Sequence, residues 1–166
     1  MEIRKSTEYD VPRMMELYAY AREYMAKTGN PNQWGPTNWP PEDLIHSDIR
    51  QGNSYVCLND NHEIIGTFFF TQGPDIEPTY REITDGKGHD DSPYGVVHRI
   101  ASDGSEKGLG SFCIYWAFGQ CGHLRMDTHG DNKLMQNLLS KLGFKHCGTI
   151  YVEEDDFPRL AFEKLY

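Results

Sequence analysis

Nothing in this chain is both apolar and long enough to cross a bilayer, which takes about 20 consecutive apolar residues, and Met1-Glu2-Ile3-Arg4-Lys5 has no apolar signal core behind its charges. No membrane partner and no secretion are expected. Basic residues are scarce as well: 16 Lys and Arg against 25 Asp and Glu leave a net charge of −9. Without a cluster of cations to meet phosphates, nucleic acid is excluded as the partner. Cysteine is sparse, and Cys57, Cys113, Cys121 and Cys147 lack the paired spacing of a disulfide framework or a zinc site. A reducing cytoplasm suits them. His123 and His129 stand six apart on one expected strand and share a face, but with no third ligand near them no metal is expected. Internal repeats and low-complexity segments are missing too.

What is present fits one domain spanning residues 1–166, a length that buries a substantial core but does not divide into two ordinary domains. A short apolar strand around Ile3 leads through Ser6, Thr7 and Asp10 into a helix whose Val11, Met14, Met15, Tyr18, Arg22 and Met25 form one face, with Pro12 in its first turn. A loop carrying Trp34 and Trp39 follows, then a second helix opened by Pro40-Pro41-Glu42-Asp43. Residues 54–58 and 63–71 are rich in β-formers and read as an antiparallel hairpin. Residues 72–93 are polar and broken by glycine and proline, a length of connection that is usually functional or disordered.

Beyond them come a strand at 95–102, a helix at about 108–121, a strand at 123–128, and a helix opened by Gly130-Asp131-Asn132 with Met135, Leu138, Leu139 and Leu142 at helical spacing. Strands at 145–152 and 159–164 flank the acidic turn Glu153-Glu154-Asp155-Asp156. The order β-α-α-β-β-β-α-β-α-β-β predicts an α/β fold: a central mixed sheet with helices on both faces.

The turn between the strand at 95–102 and the next helix carries the chemistry. Lys107-Gly108-Leu109-Gly110-Ser111 has no Gly-Lys-Ser/Thr of a Walker loop, and Cys113 stands where a dinucleotide fingerprint needs its third glycine. A Gly-x-Gly turn opening a helix still offers unpaired backbone N–H donors and the positive end of the helix dipole, which together make an anion cradle.

That turn, with Ile100-Ala101-Ser102 ahead of it and Leu138-Leu139-Ser140-Lys141-Leu142-Gly143-Phe144 behind the following strand, resembles the GCN5-related N-acetyltransferase (GNAT) family over nearly the whole chain. The resemblance implies acetyl-CoA as acyl donor and cosubstrate. Ile100, Ala101 and Ser102 would offer strand-edge groups to the pantetheine arm, and the amides of Ser105, Glu106, Lys107, Gly108, Leu109, Gly110 and Ser111 would hold the pyrophosphate. Asn132, at the start of the next helix, would reach the cofactor, with Met135 on the same face; read from the residues alone, Asn132 caps its own helix and Met135 and Leu139 are core. Two departures stand out. Ser105 replaces the family's long polar residue, and Leu139 replaces the tyrosine that in many relatives protonates the departing thiolate.

Amine acetylation needs a base with a pKa near neutrality, which favours histidine. In a regular strand His98 faces the same side as Ile100, two residues on, and is the first candidate; the competing reading is a buried histidine bonded to its neighbours. Tyr94, Tyr151 and Ser140 are candidates for protonating the thiolate. Trp34, Tyr80 and His129, with Trp39, Asp90 and Asp91, are expected around a small primary amine, since aromatic walls and carboxylates suit a cation. The expected activity is an N-acetyltransferase. The alternatives are a noncatalytic acyl-CoA-binding module and an acyltransferase for longer chains, and exposed final strands leave a homodimer open.

Overall fold

The computed structural model describes residues 1–152 and 155–166, so Glu153 and Glu154 of the expected acidic turn lie outside the described residues. Strands β1 (Glu2–Lys5), β2 (Ser54–Leu58), β3 (Ile64–Gly73), β4 (Tyr94–Ser102), β5 (His123–His129), β6 (Lys145–Tyr151) and β7 (Pro158–Leu165) form one sheet in the order β1-β2-β3-β4-β5-β7-β6. Helices α1 (Val11–Lys27) and α2 (Glu42–Arg50) cover one face, and α3 (Leu109–Cys121) and α4 (Lys133–Lys141) the other. The expected α/β architecture with its mixed sheet is what forms. Among the described residues, no helix is long and apolar enough to cross a membrane.

Helix α1 starts where the sequence expects. Asp10 accepts from Thr7 N at 2.8 Å and is gripped by Arg4. Buried Val11, Met14, Leu17, Tyr18 and Ala21 then press one stripe of α1 on the sheet. Helix α3 is apolar on several sides: Trp116 packs among Tyr55, Phe68 and Phe70, and Phe118 lies under Tyr166. Tyr115 is exposed beneath the Lys164 ammonium. The start of α3 is pinned by Leu109, which occupies the space a side chain at Gly66 would need: a Cβ there would lie 2.6 Å from Leu109.

Two features of β4 open the sheet. It runs parallel to β5 only at Gly95↔Leu124 and Val96↔Arg125, after which the two strands part. On its other side, Thr67 pairs with Ala101 but Phe69 with His98, so Arg99 and Ile100 together oppose one residue of β3. This is a β-bulge with Arg99 at φ 56°. Past Val96, β4 thus has an edge with no strand beside it, and its alternation of faces is broken.

Candidate functional site

The bulge overturns the expectation that His98 and Ile100 face one way. Val97 and Ile100 pack with the α3 and α4 side of the core. His98 and Arg99 both lie against Phe69 on the opposite face, the ring of His98 at 5.6 Å and the Arg99 guanidinium at 4.8 Å. One inserted residue turns His98 away from Ile100 and toward α1, α2 and the 72–93 connection.

Two hollows meet at the parted strands. A groove of about 620 Å³ runs between α1, the end of β4 and the N-terminal turns of α3 and α4. Ile100, Ala101, Ser102, Glu106, Gly108, Leu109 and Gly110 line it, together with Asn132 and Met135. Gly108 precedes α3 at φ 83°, a left-handed conformation that glycine adopts freely. The first N–H of α3 to find a carbonyl is Phe112, on Gly108 O, so the donors of Leu109, Gly110 and Ser111 are the unpaired first-turn set. Ser105 N is taken by Asp103 Oδ1 at 2.9 Å, which removes one expected donor from the cradle.

The second hollow is a cavity of about 70 Å³ between β4, β5 and the loop of Trp34 and Trp39. Met25, Ile100, Asn132 and Met135 border both hollows, so groove and cavity share a boundary there. Asn132 does cap its helix, accepting from Met135 N at 3.0 Å. It also donates to Gln33 Oε1 at 3.0 Å, which Asn30 reaches at 2.8 Å. The α1–α2 loop is thereby tied to the start of α4 across the junction.

His98 lines the cavity with its side chain 21% exposed. Its Nε2 lies 3.0 Å from Glu77 Oε2, and its Nδ1 is 3.9 Å from Asp127 Oδ2. Burial pushes the Glu77 carboxyl up, but the bond and charge of His98 outweigh it and hold that carboxyl below its usual range. An ionised carboxylate only accepts, so Nε2 is the donor to Glu77, and in the neutral ring the lone pair is on Nδ1. This is a base oriented by a carboxylate.

The two tyrosines proposed from sequence stand behind this arrangement. Tyr94 is buried, and its hydroxyl accepts from Glu77 N at 3.2 Å, away from both hollows. Tyr80 donates to Asp127 Oδ2 at 2.7 Å, and burial together with the Asp127 charge drives its hydroxyl well above its ordinary pKa. Each tyrosine therefore positions a carboxylate beside His98. His129 is buried, its Nδ1 accepting from Asp131 N at 2.9 Å, and its neighbour Thr128 rather than His129 itself lines the cavity. Trp34 lines the cavity and packs edge-on to Tyr18.

Of the other candidates, Tyr151 and Ser140 are exposed on β6 and α4. Asp90 holds Ser92 and Arg125 near the start of β5. Leu139 is 0% exposed, a core residue between α4 and α3. Among the described residues, no cluster of three His, Cys, Asp or Glu is placed to hold a metal ion.

Sequence reasoning passed over Glu77, Asp127 and the hydroxyls of Tyr20 and Tyr24 on the α1 wall of the groove. The tyrosines left a trace: two aromatics four apart on the polar side of an amphipathic helix. The carboxylates left none, because their partner His98 is 21 and 29 residues away along the chain.

No family model matches the sequence, and no curated protein matches it either. Solved structures do. A GNAT-family acetyltransferase from Streptococcus agalactiae is 29% identical, covers 99% of this chain and 95% of its own, and superposes with a TM-score of 0.87. A GNAT-family acetyltransferase from Listeria monocytogenes is 16% identical over 98% of this chain and 93% of its own, at a TM-score of 0.71. A ribosomal-protein-alanine N-acetyltransferase from Brucella melitensis is 17% identical, covers both chains in full and reaches 0.64.

Proposed function

We propose that this chain, of the GNAT family by its fold, transfers an acetyl group from acetyl-CoA to the primary amine of a small molecule, with His98 as general base. Acetyl-CoA supplies the acyl group already activated as a thioester. The groove fits such a donor: its floor is the unpartnered edge of β4, and one end is the donor-rich start of α3. Amides of Leu109, Gly110 and Ser111 would hold the pyrophosphate, and the edge of β4 at Ile100 to Ser102 would bind the arm. The shared border at Met25, Ile100, Asn132 and Met135 is where the acyl end would meet the cavity.

One observation carries the reading: the bulge aims His98 into the cavity while leaving Ile100 on the groove. An amine that enters as its ammonium gives a proton to Nδ1 of His98. The imidazolium so formed lies between Glu77 and Asp127, which stabilise its charge. Trp34, Trp39 and Met25 keep water from the reacting nitrogen. With Leu139 sealed in the core, the hydroxyls on the groove are Tyr20, Tyr24, Thr28 and Ser102; Thr28 donates to Tyr24 O at 2.8 Å, which leaves the other three as the candidates for returning a proton to the thiolate.

Thiol release from acetyl-CoA across a panel of primary amines tests the proposal. Turnover with at least one amine, lost in His98→Gln, is expected. Tight CoA binding without release for any amine overturns it in favour of an acyl-CoA-binding module, which the buried Leu139 would then explain.

A further inference from the structure

The cavity beside His98 holds more hydrogen-bond donors than its own residues use. The side chain of Arg99 is 10% exposed and pairs with Asp48, itself 7% exposed, through NH2 at 2.6 Å. That is its one hydrogen bond among the described residues, and its Nε is buried with no partner. A guanidinium carries five N–H donors, so most of them are unspent. Trp39, held from behind where Arg22 donates to its carbonyl oxygen at 2.9 Å, also lines the cavity, and its buried indole N–H has no partner. Buried donors without acceptors are rare in folded proteins, and two from separate elements around one hollow call for an acceptor.

Both groups donate only, whereas Thr128 Oγ1, also buried without a partner on this lining, can donate or accept. A polyamine brings more donors and more positive charge, and would set N–H against N–H. The Asp48 carboxylate already balances the Arg99 charge, so what the cavity lacks is an acceptor oxygen beside Arg99 and Trp39. His98 and Asp127, lining the same cavity, meet the needs of an amine. The volume of about 70 Å³ holds only about five water molecules, so amine and oxygen must belong to one small head group.

Resting on the amine acetyltransferase reading above, we propose that the acceptor is a small molecule with an amino-acid head: a primary amine whose adjacent carbon carries a carboxylate or carboxamide. The oxygen of that group takes the N–H groups of Arg99 and Trp39 while the amine lies against His98 and Asp127. The ammonium gives one proton to His98, the free amine attacks the thioester carbonyl carbon and forms the C–N bond as the C–S bond breaks, the second nitrogen proton goes to the departing sulfur, and His98 releases the first to solvent.

The test compares three matched series as acceptors: free amino acids, their carboxamides, and the amines left when the carboxylate is removed. An amino acid or its carboxamide is expected to exceed its decarboxylated counterpart in kcat/KM by at least about tenfold, because a site built to hydrogen-bond a group rejects the analogue lacking it. Trp39→Phe, which deletes the N–H and keeps an aromatic ring, is expected to shrink that ratio several-fold with CoA affinity unchanged. The winner between carboxylate and carboxamide identifies which oxygen is read. Decarboxylated amines or polyamines used equally well, a ratio untouched by Trp39→Phe, or activity confined to long peptides overturns the proposal. If no series is acetylated, the activity proposed above has failed instead. Calorimetry of the same compounds on the CoA-loaded protein then decides: binding that prefers the amino-acid head upholds this inference, and binding without that preference overturns it.

Discussion

The groove at the foot of α3 and the cavity beside His98 share a border of four residues, yet they are built in opposite ways. The groove is made largely of backbone: a strand edge without a neighbour, a glycine at positive φ, and a helix start with unpaired donors. The cavity is made of side chains that reach in from α1, β4, β5, α4, β7 and the loops carrying Trp34 and Asn132, several of them held by another: His98 by Glu77, Asp127 by Tyr80, Arg99 by Asp48, Asn132 by Gln33. A backbone site tolerates changes of side chain. A side-chain site is sensitive to each of its members.

That contrast can be broken first at His98. His98→Gln keeps a hydrogen-bond donor for Glu77 but cannot act as a base; turnover is expected to fall by about 10²- to 10⁴-fold while CoA affinity, set in the groove, stays within about twofold, as steady-state kinetics and calorimetry would show. Next is Asp48→Ala, which strands the buried Arg99 guanidinium; a loss of about 3–5 kcal/mol of unfolding free energy is expected in urea melts. Smaller is Gly108→Ala in the groove. A Cβ at Gly108 meets nothing within 4 Å, so the cost comes from φ 83° alone, about 1–2 kcal/mol of unfolding free energy, read in urea melts with little change in acceptor preference.

The smallest effect concerns His129. Burial, with the nearby Arg159 charge, holds its imidazole below the ordinary histidine pKa. The unfolded chain therefore binds a proton more readily, and the stability this group contributes is present above about pH 6.5 and is lost as pH falls toward the lowered native value. Melts between pH 7.5 and 5.5 should show a decline of no more than about 1 kcal/mol from this group, and His129→Gln should flatten that part of the curve.

The same contrast sets how much was legible in advance. Element order, the Gly-x-Gly turn and the cap at Asn132 are local patterns, and each is found where its spacing places it. His98 was legible as a residue type on the right strand, but its direction was not. A bulge at Arg99 depends on how β3 pairs across the sheet, and strand periodicity carries no sign of a skipped partner. Tyr94 and Tyr80 were placed near the chemistry and lie one layer behind it, since the Tyr80 hydroxyl answers to a carboxylate distant in sequence and the Tyr94 hydroxyl to the backbone of Glu77 in a loop. Side-chain networks drawn from many segments have no spacing to read.

The most direct test is a crystal structure of the acetyl-CoA complex. With His98 as base across the bulge, the pyrophosphate should lie on the amides of Leu109, Gly110 and Ser111. The acyl carbon should stand at the border of Met25, Ile100 and Asn132, open to Nδ1 of His98 through the cavity. An acyl group turned away from that border, or a bound state in which His98 is walled off from it by the sheet, would contradict the assignment.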